Sequence, residues 1–155
     1  MTTPPALDPA SVEAKTGSSY PEPFRSRVGE RRKRALGDAL GLANYGVNLV
    51  ELPPGALSSM RHWHSKQDEF VYVLEGELVL ITDAGEQVLR AGMAAGFPAG
   101  SGDGHQMINR SDAPARYLEV GDRSPGDMVT YTDVDLALTE NVTDDFTHKD
   151  GTPYR

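Results

Sequence analysis

Between residues 43 and 121, apolar residues recur in short alternating runs that glycine, proline and charged residues interrupt. The runs are ANYGVNLVEL, EFVYVL, ELVLIT, QVLRAG, MAAGF, HQMIN and ARYLEV, separated by turn signals such as PPG, EG, DAGE and DAP. Alternation over such short stretches is typical of half-buried strands, and turn signals at this spacing favour a sandwich or barrel. The pattern therefore predicts an all-β domain over 43–121.

Three flanking segments lack this alternation. Residues 1–24 are rich in Pro, Ser, Thr and Ala, which predicts an extended N-terminal arm, either flexible or docked. Residues 25–42 carry the basic run Arg31–Arg34 before a short helical piece. That run is either a phosphate or nucleic-acid patch or a solvated turn, and the lack of interleaved aromatics favours the turn. Residues 122–155 are acidic, and we expect an irregular C-terminal tail along the outside of the barrel, with MVTY extended.

The composition narrows the functional classes. A chain of 155 residues suits one domain with tails, and a net charge of −8 disfavours nucleic-acid binding. No apolar stretch approaches the ~20 residues that cross a bilayer, so we expect no membrane partner. The start of the chain lacks a basic segment followed by an apolar one, and cysteine is absent. Both features favour a cytoplasmic location.

Candidate metal ligands cluster around LSSMRHWH, residues 57–64, which we predict to be the strand after ANYGVNLVEL. His62 and His64 are two residues apart, so on a strand both rings leave the same face. Glu69 begins the next strand, and His105 lies in a glycine-rich segment before a later one. Each side chain alone is compatible with an ordinary surface or hydrogen-bonded role. Together, three imidazoles and a carboxylate without any thiolate favour a divalent cation such as zinc, iron, nickel, manganese or copper.

The same residues fall into two spaced motifs. The first consists of Gly55, His62, His64, Glu69 and Gly76, and the second of Gly92, Pro98, Gly100, His105 and Asn109. This pattern resembles the cupin superfamily over roughly residues 43–120. It departs from the family pattern in having six residues between Gly55 and His62 instead of five, and four between Gly100 and His105 instead of two. The longer loop before His105 is the larger of the two departures.

The resemblance implies a double-stranded β-helix, the jelly-roll barrel of cupins. It also implies one divalent transition metal per chain, held by His62, His64, Glu69 and His105. The longer pattern looks like a bacterial subgroup of single-domain cupins whose members are labelled as regulators or sugar-phosphate isomerases. The superfamily includes dioxygenases, decarboxylases, isomerases, epimerases, lyases and metal-free binding proteins, so fold alone does not decide function.

Three functions stay open at this point. The first is a metal-dependent enzyme acting on a hydroxy acid, keto acid or sugar derivative, with Glu119 and Tyr117 as candidates for proton transfer. The second is a non-enzymatic binding or sensing module, and the third is a barrel with a vestigial site. We expect a small-molecule ligand and a homodimer formed through arm exchange or sheet packing. His148 lies outside the cluster and is expected at the surface.

Overall fold

The computed structural model of the protein describes residues 5–139 and 145–154. Strands dominate these residues, and the helices are short. The strands are β1 (Lys15–Thr16), β2 (Arg32–Ala35), β3 (Tyr45–Leu52), β4 (His62–His64), β5 (Glu69–Glu75), β6 (Glu77–Thr82), β7 (Gly85–Arg90), β8 (Ala94–Phe97), β9 (Gln106–Ile108), β10 (Ala115–Asp122), β11 (Met128–Tyr131) and β12 (Ala137–Thr139). The helices are a 3₁₀ turn (Pro9–Ser11), α1 (Phe24–Val28) and α2 (Leu36–Ala39). In the described ranges no helix is long and apolar enough to cross a membrane.

The strands form three antiparallel sheets. The largest has the order β1-β2-β3-β10-β5-β8, and two smaller sheets have the orders β12-β11-β4 and β7-β6-β9. The predicted all-β jelly-roll fold is confirmed. Strand β5 displays the predicted alternation, because Val71 and Val73 are buried whereas Phe70, Tyr72 and Leu74 are exposed. One face of the large sheet therefore lines the barrel interior and the other faces outward.

The tight connection between β5 and β6 requires a glycine. Gly76 has a φ of 80°, a region that residues with a Cβ rarely adopt. A Cβ at this position would also lie 2.7 Å from the carbonyl oxygen of Pro114. Substitution here would strain the strand whose first residue is the candidate ligand Glu69.

Two apolar clusters support the barrel. The first fills its interior and contains Val50, Leu52, Ala56, Val71, Val73, Leu78, Leu80, Leu89, Met107, Ala115 and Tyr117. The second joins the two chain ends and contains Tyr20, Phe24, Val28, Met60, Val129, Tyr131, Leu136, Leu138 and Phe146. All three flanking segments thus contribute buried side chains.

The structure differs from expectation in two flanking segments. The basic run is not a solvated turn, because residues 32–35 form β2, in which Lys33 pairs with Val50 of β3. The C-terminal segment does not simply lie along the outside. Its strand β11 pairs with β4, which places Val129 opposite His64. Charged side chains concealed β2, since their alternation between inward and outward faces is not visible as an apolar pattern. The extended MVTY segment was expected, but its pairing with β4 was not.

Candidate metal centre

Backbone pairing brings the histidine segments together. His62 and His64 lie on β4, and Glu69 is the first residue of β5. His105 precedes β9 and forms an isolated antiparallel bridge with His62, with backbone N···O distances of 2.9 and 3.2 Å. The lengthened loop before His105 is held by Arg61, whose Nη1 donates to the carbonyl oxygen of Gly104 at 2.9 Å. His105 is therefore aimed by the bridge, despite its unusual spacing in the sequence.

The four predicted ligands meet at the carboxylate of Glu69. Oε2 lies 2.6 Å from His105 Nε2, and Oε1 lies 3.6 Å from His62 Nε2. His64 Nε2 also contacts Oε1. One donor atom each from His62, Glu69 and His105 lies within 4.8 Å of the others, which is close enough for a shared cation. The structure thus brings together every residue that the sequence proposed for this site.

The remaining ring nitrogens of the β4 histidines have protein partners. His62 Nδ1 donates to the carbonyl oxygen of Met60 at 2.8 Å. His64 Nδ1 lies 2.6 Å from Oδ2 of the buried Asp127, whose Oδ1 accepts from the backbone N–H of Lys66 at 2.9 Å. Such outer contacts fix the orientation of an imidazole and increase its basicity as a ligand. They leave both Nε2 atoms directed at Glu69.

His105 is oriented in another way. Its ring stacks on Phe97 with a centroid distance of 3.7 Å and an interplanar angle of 4°. Its Nδ1 is buried and has no hydrogen-bond partner among the described residues. Packing against an aromatic ring, instead of a polar contact, therefore keeps its Nε2 facing Glu69.

The electrostatics of the cluster suit a cation. Burial alone would raise the pKa of Glu69, but the contacts with His105, His62 and His64 hold it well below its usual range. Burial also disfavours a charged His64, yet the carboxylates of Glu69 and Asp127 raise its pKa to about 9. Burial lowers the pKa of His105, so this ring favours the neutral form that binds metals. His62, His105 and the ionised Glu69 fit a borderline divalent transition metal, and His64 can join them once its ring releases the proton that the two carboxylates favour.

A cavity of about 860 Å³ opens onto the cluster, and both proton-transfer candidates line it. Glu119 Oε1 accepts from Lys33 Nζ and from Asn48 Nδ2, each at 2.9 Å. Burial would raise the pKa of Glu119, but Lys33 lowers it overall, so this carboxylate is ionised. Tyr117 is fully buried, and burial raises the pKa of its hydroxyl well above the usual value. Glu119 can therefore accept a proton, whereas Tyr117 stays a neutral phenol that can donate or accept a hydrogen bond.

Sequence reasoning missed Asp127, and it favoured a solvated turn over a phosphate patch for the run that contains Arg31 and Lys33. Asp127 orients His64, and Arg31 and Lys33 line the cavity. Arg31 and Lys33 are two residues apart at a strand, so the rule that paired His62 with His64 could have found them. Asp127 follows a Pro-Gly turn and carries no recognisable local signal.

Comparisons with known proteins agree with this geometry. The cupin domain model matches residues 48–121. A sugar phosphate isomerase of the cupin superfamily from Silicibacter pomeroyi is 47% identical over 97% of both chains, with a TM-score of 0.90. The tetracenomycin polyketide synthase protein TcmJ of Streptomyces glaucescens is 30% identical over 108 residues, or 70% of each chain. The polyketide cyclase RemF from Streptomyces resistomycificus shares the fold at 23% identity, covering 79% of this chain and 80% of its own, with a TM-score of 0.62. The chain belongs to the cupin superfamily.

Proposed function

We propose that this cupin is a metal-dependent enzyme acting on a small oxygenated molecule, a hydroxy acid, keto acid or sugar derivative. The observation that carries the proposal is the meeting of three imidazole edges at one carboxylate on the wall of a polar cavity. A purely structural cluster would not need to open onto a cavity that a ligand can enter. The absence of cysteine also supports the cytoplasm as its location.

His62, His64, Glu69 and His105 would hold one divalent transition metal per chain. A metal in this position would act as a Lewis acid on a carbonyl or hydroxyl oxygen of the substrate. Asp127 and the carbonyl oxygen of Met60 would keep two of the rings in orientation.

Glu119 is the residue that we propose as the proton-transfer base. It lies on β10 opposite Val71, two residues along β5 from Glu69, and Glu119 lines the same cavity. An ionised carboxylate can take a proton from the carbon next to a carbonyl and return it to the neighbouring carbon, while a second proton moves between the two oxygens. That sequence isomerises an aldose and a ketose. The description of the similar Silicibacter protein as a sugar phosphate isomerase supports this reaction class.

The experiment combines metal analysis with solvent exchange. Untagged protein is analysed for bound elements and then incubated in D₂O with a panel of sugar phosphates and hydroxy acids, with deuterium at carbon followed by NMR. We expect about one metal per chain and exchange in the wild type. Glu119→Gln should reduce exchange on the order of 100-fold or more with unchanged metal content. Glu75→Gln, an exposed carboxylate on β5, is the matched control.

The alternative is a non-enzymatic protein that binds or senses a small ligand. The unpartnered polar atoms of the cavity wall favour ligand binding, which this role shares with the enzyme. A ligand that raises the melting temperature without any product or exchange supports this alternative. Fully metal-loaded protein that exchanges no member of the panel contradicts the enzymatic proposal.

A further inference from the structure

The cavity contains a cationic side chain without a counter-ion. Arg31 lines it and donates from its two Nη atoms to the backbone carbonyl oxygens of Ser58 and Gly17. Its Nε is buried without a partner, and no carboxylate of residues 5–139 or 145–154 pairs with it. The Glu119 carboxylate is near enough for Arg31 to lower its pKa but makes no ion pair with it, so the hydrogen bonds of this partly buried guanidinium go only to neutral carbonyl groups.

A second donor nearby is also unpartnered. Tyr117 is fully buried, and its hydroxyl has no hydrogen-bond partner in the described part of the chain. Arg31 is near enough to favour the ionised hydroxyl, although burial dominates the pKa of Tyr117. The buried Oγ of Ser18, which lines the same cavity, has no partner either. Buried polar atoms are nearly always hydrogen-bonded, so several orphans in one cavity wall indicate a ligand.

Lys33 extends this region along the same face. The Nζ of Lys33 lies 2.9 Å from Glu119 Oε1, and this contact uses one of the three N–H donors of Lys33. Arg31 and Lys33 together outweigh Glu119 by one positive charge. Arg123, another cation of the cavity lining, already pairs with Asp38. The charge that lacks a partner is thus centred on Arg31.

We propose that this region, the Arg31 end of the cavity, binds an anionic oxygen group, a phosphate or a carboxylate, carried by the small molecule. Arg31 Nε, Tyr117 Oη and Ser18 Oγ are its donors. The inference rests on the proposed function and deepens it, because the other end of the bound ligand would face the imidazole cluster. It makes the ligand a small anion and excludes neutral sugars.

The test uses three probes of similar size: glucose 6-phosphate, gluconate and neutral glucose. Binding is measured by calorimetry on metal-loaded and on metal-stripped protein. We expect one or both anions to bind, and the pair distinguishes phosphate from carboxylate, whereas glucose should not bind. Because the proposed contacts are protein donors, anion binding should persist after the metal is removed.

Tyr117→Phe is the decisive variant, because its hydroxyl has no hydrogen bond to lose in the free protein. We expect it to weaken anion binding on the order of 10-fold or more, and Arg31→Gln to weaken it further. Arg32→Gln is the matched control, since Arg32 is the next residue along the chain, is exposed at the start of β2 and does not line the cavity. If Arg31→Gln does not fold, Tyr117→Phe still decides.

The outcomes separate this inference from the proposed function. Equal binding of glucose, failure of both anions at millimolar concentration, or full anion affinity in Tyr117→Phe would overturn it. Anion binding that depends on Tyr117 but leads to no turnover supports the inference and contradicts the enzyme. Turnover of a neutral substrate at a rate that does not change when Arg31 or Tyr117 is replaced supports the enzyme and contradicts the inference.

Discussion

The two ends of the cavity satisfy their charges in different ways. At the imidazole end, Glu69 and Asp127 meet histidine nitrogens, so opposite charges compensate each other within the chain. At the Arg31 end, the guanidinium donates to two neutral backbone carbonyl groups, and neither its Nε nor the Tyr117 hydroxyl has a partner among the described residues. The first end is organised by the protein's own charges, whereas the second is organised for a group that the protein does not supply. Substitutions should therefore separate metal binding from ligand binding.

The largest effect is expected at the imidazole end. Replacing both His62 and His64 with alanine removes two of four donors, so metal content should fall from about one per chain to near zero. Elemental analysis of the purified variant measures it. His148→Ala is the control, because His148 pairs with Asp135 outside the cluster. A double variant that keeps its metal would contradict the ligand assignment.

A smaller effect is expected from the residue behind His64. Asp127→Asn replaces the carboxylate that His64 Nδ1 contacts, and we expect metal affinity to fall about 10–100-fold. Competition with a chelator of known affinity measures the change. Asp135→Asn alters a similar contact, to His148 Nδ1 at 2.8 Å, and should leave affinity unchanged. Equal losses in the two variants would indicate a general electrostatic effect instead.

At the Arg31 end, a stability measurement tests whether the unpartnered Tyr117 hydroxyl lowers the free energy of unfolding. Tyr117→Phe removes a buried group that has no partner, so the free energy of unfolding should rise by about 1 kcal/mol. Tyr20→Phe removes an acceptor of the Met60 N–H at 3.3 Å and should lower it by a similar amount. Urea denaturation of the metal-free proteins compares them. A marked loss of stability in Tyr117→Phe would mean that its hydroxyl has a structural partner.

The homodimer stays a prediction, and it concerns a surface outside the cavity. Phe70, Tyr72 and Leu74 are 44%, 39% and 45% exposed in a row along β5, which offers an apolar face to a second copy. Phe70→Glu combined with Leu74→Glu should reduce the mass measured by light scattering to that of a monomer. Metal content should not change. A wild-type protein that is already monomeric would contradict the prediction.

Truncation of residues 1–24, by contrast, does not test dimerisation cleanly. β1 pairs with β2 of the same chain, and Tyr20 and Phe24 belong to the second apolar cluster. Removing the segment would expose that cluster and destabilise the fold, whatever the oligomeric state.

Local regularities explain what could be predicted. Alternation along EFVYVL divides the residues of β5 between two faces, and the structure shows that the face with Val71 and Val73 is the buried one. Glycine and proline signals located the turns, including the one at Gly76. The strand predicted for LSSMRHWH, residues 57–64, was too long, because only His62–His64 of that segment forms a ladder. The loop before His105 could not be oriented in advance, since its geometry depends on Arg61 and on pairing with β4.

The sequence by itself determined the all-β class, the family and the four candidate ligands, because these depend on spacing along one strand or within one motif. Tertiary structure decided which faces meet across the cavity. Asp127 lies 63 positions from His64, and Glu119 lies 71 positions from Asn48, yet each pair is in hydrogen-bond contact. A strand's period of two establishes the direction of a side chain, but its partner is established by pairing between distant strands, which no local pattern encodes.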